Sequence, residues 1–211
     1  MKTVLCYGDS NTYGFNPTNG LRYPKDIRWT GRLQELLGED YMVIEEGCNG
    51  RTTVFEDPVE GWKKGIDYLR PCLNTHKPVD IVILMLGTND LKELFLANAE
   101  DVAQGAEALV DVIQSFTVEK QGFAPKVLLV SPPEIEEGVC LSAFASSFGL
   151  RAVQESQKLA GYYREVAQKK GCLFLNAARH IRPSTEDYVH LAPEGHAMLA
   201  EVLFALITKK E

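Results

Sequence analysis

Five short stretches of this chain are apolar without alternation: Thr3–Tyr7, Tyr41–Ile44, Ile81–Leu86, Val127–Val130 and Cys172–Leu175. A strand with one wet face alternates apolar and polar residues, whereas a strand covered on both faces does not. The runs therefore predict a parallel sheet sandwiched between helices. Helical patterns separate them as that reading requires. Ala99, Val102, Ala103, Ala106, Leu109, Val110 and Ile113 recur at helical spacing across 98–116, with Asn98 as N-cap and Asp101 three residues on. Residues 151–169 repeat the pattern through Val153, Leu159, Ala160, Tyr163 and Val166. Pro193 suits the first turn of a last helix whose apolar face is Met198, Leu199, Val202, Leu203 and Leu206. Thr30–Leu37 and residues 59–73 are shorter helical candidates. Alternating strands and helices imply an α/β fold, a three-layer α/β/α sandwich, in one domain spanning 1–211. The longest irregular piece, Ser131–Gly149, is of a length that compact domains usually reserve for function.

Composition matters here for what it excludes. The formal net charge is −7, which argues against nucleic acid or an anionic membrane as partner. No apolar run approaches a membrane span, and the N-terminus lacks a signal-peptide pattern. The five cysteines, Cys6, Cys48, Cys72, Cys140 and Cys172, are scattered and odd in number. They suggest neither a disulfide framework nor a zinc knuckle, and they fit a reducing compartment, with the cytoplasm as the default location. Cys6 and Cys172 lie within apolar runs and read as small core residues.

In an open parallel sheet, ligands bind outside the carboxyl ends of the strands. The first run exits into Gly8-Asp9-Ser10, the second into the stretch EEGCNGRTT at 45–53, the third into GTND at 87–90. The fourth exits into Ser131-Pro132-Pro133 and the fifth into Asn176. Asp187 and His190 stand just before the last helix. The segment Gly8-Asp9-Ser10-Asn11-Thr12 carries the first glycine of a nucleophile elbow and lacks the second. Read alone, Ser10 is a turn serine. Read with a histidine, a carboxylate and glycine- and amide-bearing turns on the same sheet edge, it has the partners that acyl transfer needs.

The blocks GDS, the turn with Gly50, GTND and D-x-x-H, in this order from Gly8 to His190, resemble the SGNH or GDSL hydrolases. The longer words RWTG, EEG…RTT, MLGTND and KVLLVSPP are most similar to a bacterial arylesterase and acyltransferase subgroup of them. The resemblance implies a flavodoxin-like, five-stranded parallel sheet of order 2-1-3-4-5. It implies Ser10 as nucleophile, His190 as general base and then acid, and Asp187 as the group that holds the imidazole. It implies an oxyanion hole from the backbone N–H groups of Ser10 and Gly50 and the side-chain amide of Asn89. It also implies a homo-oligomer in which neighbouring loops narrow the active-site entrance. In that strand order Ser10 lies between the Gly50 and Asn89 turns, each about 4.8 Å away. The link Asn176–Asp187 can reach over ~36 Å, ample to return His190 to Ser10.

Among the residues put with the substrate site, Asp9 is expected to hold the turn by hydrogen bonds to nearby backbone. Trp62, Phe144 and Phe148 are candidates for an acyl pocket, a subunit contact or a cover for the core. Arg51 is expected to brace the Gly50 turn, with substrate contact as the alternative. His196 reads as structural or exposed, and His76 and His180 as surface residues. No cofactor or metal is implied. The expected activity is a serine esterase acting on short-chain aryl or alkyl esters through an acyl-enzyme, with transfer to alcohols as a variant. A carbohydrate acetylesterase, thioesterase or lysophospholipase would share the catalytic parts. A flavodoxin-like module holding a phosphate or nucleotide at GDSNT would leave Asp187 and His190 without a purpose.

Overall fold

The computed structural model describes residues 1–209; the last two positions of the 1–211 unit lie outside them. Five parallel strands, β1 (Lys2–Gly8), β2 (Tyr41–Gly47), β3 (Ile81–Met85), β4 (Lys126–Ser131) and β5 (Leu173–Asn176), form one sheet in the order β2-β1-β3-β4-β5. Each of the five apolar runs is thus a strand, and the order is the expected one. The register is level where it matters: Gly8 pairs with Gly47 on one side and with Met85 on the other. The first three strands consequently end side by side.

The two faces of the sheet account for the unbroken apolarity. Leu5, Tyr7, Val82, Leu84, Val127 and Leu129 point to one layer, made by α3 (Gly65–His76), α4 (Ala99–Gln121) and α5 (Leu150–Lys170). Val4, Cys6, Ile81, Ile83, Met85, Leu128 and Val130 point to the other, made by α2 (Trp29–Leu37) and α6 (Pro193–Thr208). In the central strands β1, β3 and β4 residues of both parities are buried, so no polar alternation survives, while the edge strands β2 and β5 are only partly covered. A four-residue helix, α1 (Ser10–Tyr13), follows β1 directly.

Local chemistry sets the helix ends. Asn98 and Asp101 form a reciprocal capping box at the start of α4, and Gly122 and Gly171 take left-handed conformations just past α4 and α5. The helix expected over 59–73 begins only at Gly65 and runs on to His76. The Asp57 carboxylate accepts from the N–H groups of Val59 and Glu60, and this turn competes with helix at the earlier positions. Within 131–149, residues Glu137–Leu141 form a 3-10 turn. Among the described residues no helix is long and apolar enough to cross a membrane.

Candidate active site

The sharp exit of β1 depends on Gly8. A Cβ there would sit 2.0 Å from the Thr12 hydroxyl and 2.8 Å from the Met85 carbonyl oxygen, so a side chain has no room. Asp9 follows as N-cap of α1, its Oδ1 accepting from the Asn11 N–H at 3.0 Å. It is 1% exposed and serves the turn; it does not line the cleft around Ser10. Ser10 is the first residue of α1, with its Oγ 2.8 Å from His190 Nε2. His190 Nδ1 lies 2.6 Å from Asp187 Oδ2. The other Asp187 oxygen accepts from the backbone N–H groups of Val189 and His190, at 2.9 and 2.8 Å. Burial pushes the Asp187 carboxyl upward, but the His190 bond, the His190 charge and the two N–H groups outweigh it. The net value lies below the usual carboxylate range. Asp187 therefore stays ionised opposite the imidazole.

The loop carrying His190 is tied to the Ser10 turn by Asn11. Its Oδ1 accepts from the Leu191 N–H at 3.0 Å and its Nδ2 donates to the Val189 carbonyl at 3.3 Å. One side chain thus grips the residues on either side of His190. The partners are separated by 178 and 180 positions, so no local pattern announces this clamp. Two phenyl rings flank the imidazole, Phe15 at 4.3 Å and Phe144 at 5.3 Å between ring centroids. Phe15 carries no motif and is visible only in three dimensions.

The neighbouring strand exits close the other side. Gly50 adopts a φ of +77°, a left-handed turn that glycine takes without strain. Arg51 braces it from below: its guanidinium donates to the carbonyls of Gly8, at 2.9 Å, and of Glu46, and lies 4.2 Å from the centre of the Tyr7 ring. Asn89 Nδ2 donates to the Arg51 carbonyl at 3.2 Å. An amide nitrogen has two N–H groups, and this bond engages one. Asp90 is wholly buried and accepts from the Thr53 N–H at 2.9 Å and from the Thr53 hydroxyl. It stitches the β3 exit to the β2 exit.

Ser10, Gly50, Asn89 and His190 line a cleft of about 150 Å³, walled by Phe15, Phe144 and Phe148 and rimmed by Asn49, Lys92 and Ser147. Trp62 stands outside it. The ring is 67% exposed, with Lys63 Nζ 3.8 Å from its centre, and it faces a separate hollow shared with Cys48, Arg51 and Tyr68. His196 is fully buried; its Nδ1 accepts from the Trp29 N–H at 3.3 Å, and burial pushes its pKa down to about 3. It is a neutral packing residue. His180 is exposed, but His76 is not a free surface residue: Nε2 lies 2.7 Å from Glu46 Oε1.

A hydroxyl, an imidazole, a carboxylate and flanking donors at one sheet edge make a site suited to acyl transfer. The model of the GDSL-like lipase/acylhydrolase family matches residues 6–198. The chain belongs to that family. A carbohydrate acetylesterase from Sinorhizobium meliloti, Est24, is 34% identical with a TM-score of 0.92, covering 98% of each chain. The aryl esterase of M. smegmatis is 35% identical with a TM-score of 0.91, again over 98% of each. A further carbohydrate acetylesterase family member from S. meliloti is 36% identical with a TM-score of 0.90, covering 98% of this chain and 97% of its own. No match was found among curated proteins. Membership places this GDSL-family chain among the carboxylic ester hydrolases.

Proposed function

We propose that the protein hydrolyses small carboxylic esters with short acyl groups, through an acyl-enzyme on Ser10. The observation that carries this reading is the unbroken chain from Ser10 Oγ to His190 Nε2 at 2.8 Å and from His190 Nδ1 to Asp187 Oδ2 at 2.6 Å. Ser10 Oγ attacks the ester carbonyl while His190 Nε2 takes its proton. Asp187 fixes the tautomer with the hydrogen on Nδ1 and stabilises the imidazolium that forms. The tetrahedral oxyanion is met by the N–H groups of Ser10 and Gly50 and by the unengaged N–H of the Asn89 amide. His190 returns the proton to the leaving oxygen as the C–O bond breaks. Water, deprotonated by the same imidazole, then releases the acid; an alcohol in its place yields a new ester.

The short-acyl reading rests on the small volume of the cleft and on its three phenylalanine walls. Phe15 and Phe144, packed about the imidazole, also limit water around the reacting atoms. The similarity to both aryl esterases and carbohydrate acetylesterases supports an open choice of leaving group, aryl or sugar, against a restricted acyl group. Intact-mass analysis after a fluorophosphonate, with peptide mapping, tests the chemistry. One adduct is expected, on Ser10, with none on Ser10→Ala. An adduct on another residue overturns the assignment. Across a series of aryl esters, kcat/KM is expected to fall once the acyl chain outgrows the cleft; a rise with chain length contradicts the short-acyl reading.

A further inference from the structure

Outside the Ser10 cleft, three different metal-binding side chains converge on one point. Glu46 comes from the end of β2, and Cys72 and His76 come from α3. Positions i and i+4 share a helix face, so the thiol and the imidazole both look toward the strand. The carboxylate oxygen, Sγ and imidazole nitrogen all lie within 4.8 Å of one another. A tetrahedral ion with ligand bonds of ~2.0–2.3 Å holds its ligand atoms about 3.5 Å apart, inside the span these atoms already occupy.

We propose that Glu46, Cys72 and His76 form a zinc-binding site, with water completing the coordination. The chemistry of the set selects the metal. One sulfur, one nitrogen and one oxygen donor suit zinc, whereas hard cations such as magnesium or calcium call for oxygen alone. Cys72 is fully buried, while the side chains of His76 and Glu46 keep 24% and 18% exposure, so an ion enters from their side. Without the ion, the 2.7 Å bond between His76 Nε2 and Glu46 Oε1 keeps two ligands in place. Binding replaces that bond by two coordinate bonds and sends the Cys72 thiol proton to solvent. Arg51, the nearby cation, does not compete for the carboxylate. Its guanidinium contacts the Gly8 and Glu46 carbonyls and the Tyr7 and Tyr68 rings.

The test uses the reduced full-length protein titrated with cobalt(II), whose thiolate charge-transfer absorption reports a sulfur ligand, followed by displacement with zinc. Wild type is expected to show the band at one cobalt per chain and to lose it as one equivalent of zinc is added. Cys72→Ser is expected to abolish the band, and Cys48→Ser, the control thiol nearby, to keep it. His76→Gln is expected to weaken zinc binding by more than the ~10–100-fold that even outer-shell partners contribute. Neither Cys72 nor His76 belongs to the esterase site, so turnover of an aryl acetate without metal verifies that each variant is folded. If Cys72→Ser fails that check, His76→Gln decides alone. Absence of the band in wild type, its survival in Cys72→Ser, or unchanged zinc affinity in His76→Gln overturns the site.

Discussion

Two buried aspartates flank Ser10, Asp9 next to it in the chain and Asp187 across the His190 imidazole, and their environments drive them apart. Asp187 is 3% exposed and Asp9 1%. Asp187 accepts three hydrogen bonds, one from an imidazole able to carry charge. Asp9 accepts one from the Asn11 N–H, and among the described residues its Oδ2 has no hydrogen-bond partner. Burial acts on both, yet Asp187 ends below the usual range while Asp9 rises from 3.8 to about 6. Burial alone moves a carboxyl toward neutrality; a buried carboxylate persists where N–H groups and a positive partner are aimed at it. Proximity to Ser10 in the chain thus does not mark the carboxylate that pairs with His190. The remote residue, 177 positions from Ser10, has the partners; the adjacent one is a turn-former.

The comparison breaks most directly at Asp187. In Asp187→Asn an amide faces His190 Nδ1, and the imidazole is no longer held in the tautomer that accepts the serine proton. A loss in kcat of about 10⁴-fold is expected, measured on an aryl acetate. Asp9→Asn retains an oxygen for the Asn11 N–H and is expected to stay within about tenfold of wild type, since asparagine and aspartate cap comparably. Equal losses in the two variants would erase the distinction.

Much of this was legible in the chain. The strands followed from unbroken apolar runs, and in the central three burial on both faces leaves its mark on nearly every residue. Their order, and the meeting of Ser10, His190 and Asp187, followed from the resemblance together with strand-exit reasoning. The lateral ties were not legible. Asn11 reaches Val189 and Leu191, Asp90 reaches Thr53, and Phe15 reaches His190, and each contact exists only after the sheet has assembled. Trp62 was a plausible pocket aromatic by composition alone. Its place in a separate hollow against Lys63 depends on packing that no local pattern announces.

The clamp between the two aspartate loops is the next place to probe. Asn11→Ala leaves the Leu191 N–H and the Val189 carbonyl without their partner in a buried setting. Each buried group so stranded costs about 1–3 kcal/mol, which urea unfolding reads directly. Because the lost bonds flank His190, kcat is expected to fall as well. Asn11→Asp restores the acceptor for Leu191 but not the donor to Val189, and is expected to recover part of the stability at most. No change in either quantity would mean that the His190 loop is held by other contacts.

The smallest effect is a slope. For Asp187 the folded value lies below the unfolded one, so its stabilisation is present above the unfolded pKa and is lost as pH falls through the folded value. Asp9 has the opposite sign. Its folded value, about 6, exceeds 3.8, so the folded state binds the proton more tightly. The contribution of Asp9 therefore favours the fold below about pH 4 and is withdrawn as pH climbs to about 6, by an amount of order 3 kcal/mol. Asparagine at this position has no proton to lose. Subtracting the urea-unfolding free energies of wild type from those of Asp9→Asn should give a difference that rises from pH 4 to pH 6 and is flat above. Asp90 is also raised to about 6, by burial first and with the Asp9 charge adding to it, so Asp9→Asn relieves part of that shift too and the difference collects both effects. A flat difference across the whole window would mean that Asp9 titrates alike in the folded and unfolded chains. The contrast with Asp187 would then have to be sought in geometry and not in charge.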